Sequence, residues 1–299
     1  MELITPPFLQ KGDTIGIAAT ARKISREELQ IAIDIIHNFG YKVKLATNIF
    51  SEYHQWAGTD KERISGFQEL LNDNNIKAIL IARGGYGTVR ILDHLDFQPL
   101  FQFPKWICGF SDVTALLSHL FNLGIKSIHS TMPILFHQSK ESVNSLFNLL
   151  EGKENIYTFE KHSLNRNADI EGIMVGGNLS VLYSLAGSVS EMKLKDKILF
   201  IEDIDEYLYH IDRMMMQLKR SGQLKHLKAL IVGGFTDMKD NNIPFGKNAY
   251  EIIADVVKEY DYPVFYNFPG GHIVSNYAFI NGGKVKISVK DEQIEFRVL

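Results

Sequence analysis

The fold is decided by the stretch Trp106-Ile107-Cys108-Gly109-Phe110-Ser111-Asp112-Val113-Thr114-Ala115-Leu116-Leu117. Its apolar beginning predicts a buried strand, and the helical spacing of its later apolar residues predicts an amphipathic helix that starts at Asp112 and ends at Gly124. The turn between them carries Ser111 at its apex, where a hydroxyl meets the N–H groups of a helix start, a place that suits an oxyanion. The alternative is that Ser111 only caps the helix, because Val113 breaks the Gly-x-Ser-x-Gly pattern at its last position.

Composition excludes several classes of protein. With 45% hydrophobic and 22% charged residues, the chain of 299 residues is typical of a globular protein long enough for two domains. A formal net charge of −3 gives no electrostatic reason to expect nucleic acid or an anionic membrane as a partner. Cys108 is the single cysteine, so no internal disulfide can form, as is usual in a reducing compartment. The sequence has neither a signal-peptide pattern nor an apolar run of about 18 residues, so we expect a cytoplasmic protein without a membrane span.

The first half of the chain alternates strand and helix patterns. Capping boxes at Ser25 and Thr59 predict helices that run to Gly40 and to about Asn72. The predicted strands are 14–19, 41–46, 76–82, 106–108 and 125–129, and a further helix covers about 140–150. Strands that alternate with helices predict an α/β domain with a Rossmann-like, mostly parallel sheet, which we assign to residues 1–152.

The second half has a more mixed pattern. Residues 153–168 are polar and weakly periodic, which predicts a linker. Beyond them the predicted strands are 171–177, 197–201, 229–233, 264–266, 284–289 and 293–298, and the predicted helices are 178–185, 206–220 and 247–260. The last two strands alternate in polarity, as in a terminal hairpin. Residues 169–299 are therefore expected to form a mixed α+β domain.

A glycine-rich segment, Arg83-Gly84-Gly85-Tyr86-Gly87, directly follows the strand predicted at 76–82. Ligands bind at the carboxyl ends of parallel strands, and glycines let backbone N–H groups approach an anion closely. The spacing of these glycines is not that of a nucleotide-binding loop. The alternative interpretation is a tight turn that needs positive φ.

Carboxylates and a histidine follow two later strands. The acidic residues Glu202, Asp203, Asp205 and Glu206 end a buried strand, and Glu202, which still belongs to that strand, could orient a catalytic histidine. The alternative is that acidic residues open the next helix, which suits Asp205 and Glu206 better. His272 stands beside two glycines in a strand-end loop, although most histidines are surface or structural residues.

The order Ser111, Glu202, His272 is that of the triads in α/β-hydrolases. Triads arise convergently, so this order favours a serine hydrolase without identifying a family. The sequence contains no His-Glu-x-x-His or Cys-x-x-Cys spacing, and we expect neither a metal nor another cofactor.

Longer motifs resemble one known family along essentially the whole chain. The matching segments are Arg83-Gly84-Gly85-Tyr86-Gly87 with Arg90, Gly109-Phe110-Ser111-Asp112-Val113-Thr114-Ala115-Leu116, Gly176-Gly177-Asn178-Leu179, Phe200-Ile201-Glu202-Asp203, Tyr209-His210-Ile211-Asp212-Arg213-Met214 and Gly271-His272. Together they are similar to the LD-carboxypeptidase family of serine peptidases, which includes murein tetrapeptide carboxypeptidases and microcin-C immunity peptidases. The resemblance implies two domains with the active site at their interface.

The resemblance also implies catalytic roles for individual residues. Ser111 would be the nucleophile, His272 the general base and then acid, and Glu202 the acid that orients the histidine. The oxyanion hole would be formed by the backbone N–H groups of Asp112 and Gly85.

Substrate binding is implied for Arg83, Gly84 and Tyr86 of the glycine-rich segment. Arg83 or Arg90 could bind the terminal carboxylate of a peptide, although for both we favour pairing with a structural carboxylate. The expected substrate is murein tetrapeptide, from which the enzyme would release the terminal D-alanine in peptidoglycan recycling. Members of the family are commonly homodimers.

Two other functions stay open. An immunity-type peptidase of the same fold would cleave an aminoacyl-adenylate analogue, but residues 187–197 look too short to hold an aromatic insertion that stacks on adenine. A non-catalytic protein would bind a peptide or sugar in the cleft, which the three competent residues disfavour. Three departures from the family pattern leave substrate preference open. They are Ala19-Thr20 in place of Pro-Ser, His129-Ser130-Thr131-Met132 in place of His-Gly-Pro-Met, and Asn281-Gly282-Gly283 where a Pro-x-Gly type element is common.

Overall fold

The computed structural model describes residues 3–299, in which strands and helices alternate along most of the chain. The strands are β1 (Thr14–Ala18), β2 (Lys42–Leu45), β3 (Ile76–Ile81), β4 (Trp106–Gly109), β5 (Ser127–His129), β6 (Asn155–Glu160), β7 (Ile170–Asn178), β8 (Ile198–Ile204), β9 (Ala229–Thr236), β10 (Val264–Phe265), β11 (Phe279–Asn281), β12 (Gly283–Lys290) and β13 (Gln293–Val298). The helices are α1 (Arg26–Asn38), α2 (Asp60–Asn72), α3 (Thr88–Leu92), α4 (Pro99–Gln102), α5 (Thr114–Asn122), α6 (Lys140–Leu150), α7 (Leu179–Ser184), α8 (Leu208–Arg220) and α9 (Ala249–Val257). None of the helices within these described residues is long and apolar enough to cross a membrane.

The first sheet is parallel except at one edge. Its strand order is β11-β5-β4-β3-β1-β2, and only the pair of β11 with β5 is antiparallel among the described strands of this sheet. The buried, mostly apolar run of β3 is typical of a parallel strand that is covered on both faces. Helices α1 and α6 pack on one face, and α2 and α5 pack on the other. The α/β architecture predicted for the first half is confirmed.

Local signals set the starts of the first two helices. Ser25 and Thr59 each accept a hydrogen bond from the backbone N–H three residues further on, and Glu28 and Glu62 accept one from the cap residue in return. Both predicted capping boxes are therefore present, and α1 and α2 begin directly after them. Losing such a cap typically costs about 1 kcal/mol of stability.

The second sheet combines parallel and antiparallel strands. Its order is β10-β9-β8-β7-β12-β13-β6, in which β10, β9, β8 and β7 pair in parallel and the remaining pairs are antiparallel. Helices α8 and α9 pack their apolar side chains on β8 and β9. The terminal hairpin of β12 and β13 lies where its alternating pattern predicts it. The mixed α+β architecture of the second half is confirmed.

The segment predicted as a linker, 153–168, contains a strand. There β6 pairs with β13, and its side chains alternate between buried and exposed, with Tyr157 and Phe159 facing inward. This period of two is a strand signal that the polar residues around it conceal. A second difference is β11, which comes from the C-terminal half and yet completes the first sheet. The short helices α3 and α4 are also absent from the sequence-based prediction, and the boundaries at 152 and 169 remain predictions.

The two sheets meet over an aromatic cluster. Phe200, Phe268 and Phe279 make edge-to-face contacts with ring centroids 5.2, 5.5 and 6.4 Å apart. Each such contact contributes about 1 kcal/mol beyond the burial of its rings. Because Phe200 lies on β8 and Phe279 on β11, the cluster fixes the two sheets relative to each other.

Candidate active site

Ser111 stands at the end of β4 in a strained turn. Its φ is +62°, a left-handed conformation that is uncommon for residues other than glycine. A 3₁₀ turn, Ser111–Val113, follows and leads directly into α5, so the α-helix begins at Thr114 and later than predicted. The Ser111 side chain caps neither element, and the interpretation of this residue as a simple helix cap is wrong.

The Ser111 hydroxyl faces an imidazole. Its Oγ lies 3.1 Å from His272 Nε2, and His272 Nδ1 lies 2.6 Å from Oε2 of Glu202. The backbone N–H of His272 donates to the same carboxylate oxygen at 3.1 Å. A carboxylate that accepts from Nδ1–H leaves Nε2 free to take the serine proton. The structure thus brings the three predicted residues together in one hydrogen-bonded row.

Close backbone packing fixes the carboxylate and the imidazole to each other. Glu202 lies on β8 and is completely buried. His272 follows Gly271, whose φ is +96° and at which a Cβ would lie 2.5 Å from the Cβ of Glu202. Only glycine lets the loop after β10 come this close to β8, so Gly271 is needed to bring the histidine onto the acid.

The charges around His272 raise its pKa. Burial lowers the pKa of the imidazole, but the charge and hydrogen bond of Glu202, together with the charge of Asp203, outweigh burial, and the pKa lies above its ordinary value. Both carboxylates therefore stabilise the imidazolium that forms when His272 accepts a proton. The ring of Phe110, with its centroid 4.8 Å from that of the imidazole, packs beside it.

Asp203 is a second buried carboxylate, to which the sequence assigns no role. Its oxygens accept hydrogen bonds from Asn178 Nδ2 at 2.8 Å, from the N–H of Ser180 at 2.8 Å and from its own neighbour Ile204 at 2.9 Å. Burial, and after it the charge of Glu202, raises the pKa of Asp203 to about 7. The hydrogen bonds from Asn178 and Ser180 to Asp203 hold the start of α7 against β8.

His129 is another buried titratable residue near the row. Its ring stacks on Phe279 at 4.8 Å and meets Phe200 and Phe110 edge-on at 5.1 and 5.8 Å. Within residues 3–299 neither ring nitrogen has a hydrogen-bond partner. Burial lowers the pKa of His129 to about 4, so its ring is neutral near pH 7. The residue joins the sheets as an aromatic contact and adds no positive charge beside His272.

The glycine-rich segment packs against the serine. A Cβ at Gly84 would lie 3.1 Å from both Cβ and Oγ of Ser111. The carboxylate of Asp112 accepts hydrogen bonds from the N–H groups of Gly87 and Thr88, at 3.4 and 2.9 Å. These bonds join the segment to the turn that carries the serine. From the sequence, Asp112 is expected to contribute only its backbone N–H. The position of Asp112 directly after Ser111 is the one sequence signal for the contact that its carboxylate makes with the glycine-rich segment.

Both arginines considered for the terminal carboxylate have partners inside the protein. Arg90 donates to the carboxylate of Asp60 from Nε at 3.1 and 3.2 Å and from Nη2 at 2.7 Å. Arg83 donates to the carbonyl of Lys23 at 3.3 Å and lies 3.9 Å from Glu28. These contacts hold the glycine-rich segment and α3 to neighbouring elements.

The remaining residues of interest lie outside the row. Tyr86 is 52% exposed, at the surface of the glycine-rich segment. Asp205 pairs with Lys239 at 2.7 Å, and Glu206 pairs with His210 at 2.5 Å. Since α8 begins after both carboxylates and has no acidic residue in its first turn, the interpretation of them as helix-start residues is wrong.

Comparisons with known proteins agree with this architecture. Residues 15–130 match the LD-carboxypeptidase N-terminal domain, and residues 171–287 match the LD-carboxypeptidase C-terminal domain. Over 297 residues the chain is 32% identical to the probable murein peptide carboxypeptidase of Bacillus subtilis (strain 168), with 96% of this chain and 92% of the relative covered.

Solved structures share the fold over nearly the full length. The muramoyltetrapeptide carboxypeptidase from Oxalobacter formigenes superimposes with a TM-score of 0.87 at 28% identity, covering 95% of this chain and 98% of that one. The microcin C7 self immunity protein MccF also has a TM-score of 0.87, at 23% identity, covering 98% of this chain and 97% of that one. From its sequence matches and its architecture, the chain belongs to the LD-carboxypeptidase family of serine peptidases.

Proposed function

We propose that this protein is a serine carboxypeptidase that hydrolyses the L,D peptide bond of murein tetrapeptide and releases the terminal D-alanine. The observation that carries the proposal is the hydrogen-bonded row from Ser111 through His272 to Glu202, with the serine lifted out of the sheet by its left-handed backbone. The substrate is supported by the names of two relatives, a probable murein peptide carboxypeptidase and a muramoyltetrapeptide carboxypeptidase.

Acylation begins at the serine. His272 Nε2 takes the proton of Ser111 as Oγ attacks the carbonyl carbon that precedes the D-alanine. Glu202 stabilises the resulting imidazolium through Nδ1–H and keeps the ring oriented. The carbonyl oxygen becomes an oxyanion, for which the N–H groups of Asp112 and Gly85 are the proposed donors, each worth roughly 3–4 kcal/mol. Gly85 suits this role because its N–H donates to no protein group within residues 3–299.

The captured proton then leaves with the product. His272 transfers it to the D-alanine nitrogen, the C–N bond breaks, and the tripeptide remains as an ester on Ser111. Water, deprotonated by His272, attacks this ester, and the tripeptide acid departs as the serine regains its proton. The net reaction consumes one water molecule and breaks one amide bond.

We propose that Gly84 and Tyr86 line the substrate site. Gly84 packs against the nucleophile, and the exposed ring of Tyr86 stands two residues away. Arg83, whose guanidinium has partners within the protein, would support this segment from behind. The immunity-type alternative lacks specific support, because no residue from Gly187 to Lys197 is aromatic and able to stack on adenine.

The proposal extends to the setting of the reaction, namely peptidoglycan recycling in the cytoplasm by a homodimer. The single cysteine, Cys108, is buried and unpaired, which suits a reducing compartment. Light scattering on the purified protein tests the homodimer: a mass of about twice the 34.0 kDa of one chain is expected. A mass equal to that of one chain would refute it.

Mass spectrometry of murein tetrapeptide incubated with the purified protein tests the proposed function. The wild type is expected to remove one alanine, whereas Ser111→Ala, His272→Ala and Glu202→Ala should lose about 10⁴-fold or more of the rate. His94→Ala, which changes an exposed histidine, is the control and should keep the wild-type rate. Intact tetrapeptide after incubation with folded wild type would refute the murein assignment. Labelling of Ser111 by a fluorophosphonate would then separate a peptidase of other specificity from a binding protein.

A further inference from the structure

A carboxypeptidase must recognise the free carboxylate next to the bond that it cuts. The cations around the glycine-rich segment differ in how far their hydrogen-bonding capacity is already used. Arg90 is bound by the carboxylate of Asp60. Arg63 is completely buried, and its Nη1 donates to the carbonyls of Thr20 and Gly87 at 2.5 and 2.9 Å. Neither guanidinium is available to a substrate.

Of the two cationic side chains on the loop after β1, one is a candidate for binding the carboxylate of the substrate. Lys23 pairs with Glu52 at 2.5 Å, and the carbonyl of Lys23 accepts from Arg83. Arg22 is exposed, and within residues 3–299 its guanidinium has neither a hydrogen-bond acceptor nor an ion-pair partner. A guanidinium is a planar fork that binds a carboxylate through two parallel hydrogen bonds. Arg22 therefore has its full donor set available.

The backbone and stem of Arg22 are held on the segment that carries the proposed oxyanion donor. Its N–H donates to the carbonyl of Gly84 at 3.3 Å, and its backbone bridges that of Trp56. Its side chain lies across Gly85, where a Cβ would meet Cγ and Cδ at 2.6 Å and Nε at 3.1 Å. The arginine is thus packed against the residue whose N–H would face the reacting carbonyl.

These contacts limit the distance between the arginine and the nucleophile. Ser111 Oγ is 3.1 Å from the Cβ position of Gly84, and Arg22 Nε is 3.1 Å from that of Gly85. Neighbouring Cβ positions are about 5–6 Å apart, so Oγ and Nε are at most about 12 Å apart. When the carbonyl carbon of the penultimate residue is in attack position and the carboxylate of the C-terminal residue bonds a guanidinium, the same two atoms are about 10 Å apart. The two distances are compatible.

We infer that Arg22 binds the free carboxylate of the C-terminal residue and so restricts the site to the last peptide bond of its substrate. The inference rests on the proposed function and adds the group that recognises the end of the chain. It replaces Arg83 and Arg90, the two arginines that the sequence offers for this task. The carboxylate of Asp60 binds Arg90, and Arg83 already donates from Nη1 to the carbonyl of Lys23 and lies near Glu28.

The test compares murein tetrapeptide with the same peptide whose terminal carboxylate is converted to a carboxamide. The wild type is expected to prefer the acid. In Arg22→Gln, kcat/KM for the acid should fall about 10- to 100-fold, mainly through KM, while kcat/KM for the amide stays unchanged. Arg22→Lys should recover part of the preference, because it restores the charge without the fork. Lys23→Gln removes the same charge one residue away and should keep the preference of the wild type.

The outcomes separate this inference from the proposed function. An Arg22→Gln variant that still prefers the acid as strongly as the wild type would overturn the role of Arg22 and leave the proposed function intact. Equal losses on acid and amide would indicate a structural role and would overturn it as well. If the wild type cleaved neither peptide while a fluorophosphonate still labelled Ser111, the proposed function would fail and the carboxylate assignment with it.

Discussion

The two sheets contribute to the site in different ways. The residues at the first sheet, which we call the first side, depend on unusual backbone conformations, whereas the residues at the second sheet, which we call the second side, depend on buried charges. Ser111 and Gly85 have φ of +62° and +113°, so the first side depends on conformations that most residues avoid. Glu202 and Asp203 are both buried on β8, and together they raise the pKa of His272. In the proposed mechanism the first side positions the nucleophile and the oxyanion donors, whereas the second sets the proton affinity of the base.

This difference determines which kinetic quantity each side should control. Changes on the first side move reacting atoms, so they should lower the maximal rate equally at every pH. Changes on the second side alter the pKa of His272, so they should move the acidic limb of the pH profile. If variants from the two sides gave the same kinetic signature, the two sides would not control different kinetic quantities.

Glu202→Gln has the largest expected effect among the variants that address this comparison. The amide can still accept a hydrogen bond from Nδ1–H, but it no longer stabilises the imidazolium, so kcat should fall about 10³- to 10⁴-fold. The acidic limb should also move to lower pH, because the charge that raises the pKa of His272 is gone. D-alanine release measured against pH checks both effects. Glu206→Gln is the matched control outside the row, and a loss below tenfold in Glu202→Gln would contradict the role of Glu202.

Asp112→Asn tests the first side and should have an intermediate effect. It weakens the charge-assisted bonds to the N–H groups of Gly87 and Thr88, which hold the glycine-rich segment to the serine turn. We expect kcat to fall about 10- to 100-fold with an unchanged acidic limb. Steady-state kinetics across the pH range measure both quantities, with the exposed Asp93→Asn as control. A shifted limb with an unchanged plateau would place Asp112 with the charged side instead.

Asp203→Asn should have the smallest effect on rate and a visible effect on pH dependence. The charge of Asp203 raises the pKa of His272, so its removal lowers that pKa, and the neutral base persists to lower pH. Asp203 itself has a pKa of about 7, so its charge is only partly present near pH 7, and a shift of about half a unit is expected. A profile of kcat/KM against pH measures it. No shift, or a shift to higher pH, would be inconsistent with this electrostatic role.

The features that the sequence predicts are those with local signals. The strand before Ser111, the capping boxes at Ser25 and Thr59 and the run that ends in Glu202 are each encoded within a few neighbouring residues. The row itself joins residues 70 and 161 positions apart in sequence, and the family resemblance, rather than periodicity, places them together.

The features that escape prediction depend on contacts between distant segments. The bond from Asp203 to Asn178 and the packing of Arg22 on Gly85 arise only when the chain is folded, and an exposed arginine after a strand carries no signal of its own. The pairing of β11 with β5 also escapes prediction, because a three-residue strand from the C-terminal half is too short for a periodic pattern. In β6 a period-two pattern exists but is diluted by exposed polar residues.

In the proposed mechanism His272, on the second side, activates Ser111 on the first. The most direct measurement is the rate of covalent labelling by a fluorophosphonate, with the labelled residue located by peptide mass spectrometry. We predict a single adduct on Ser111 in the wild type, none in Ser111→Ala, and labelling at least about 100-fold slower in His272→Ala. An adduct on another residue, or an unchanged labelling rate in folded His272→Ala, would contradict this mechanism.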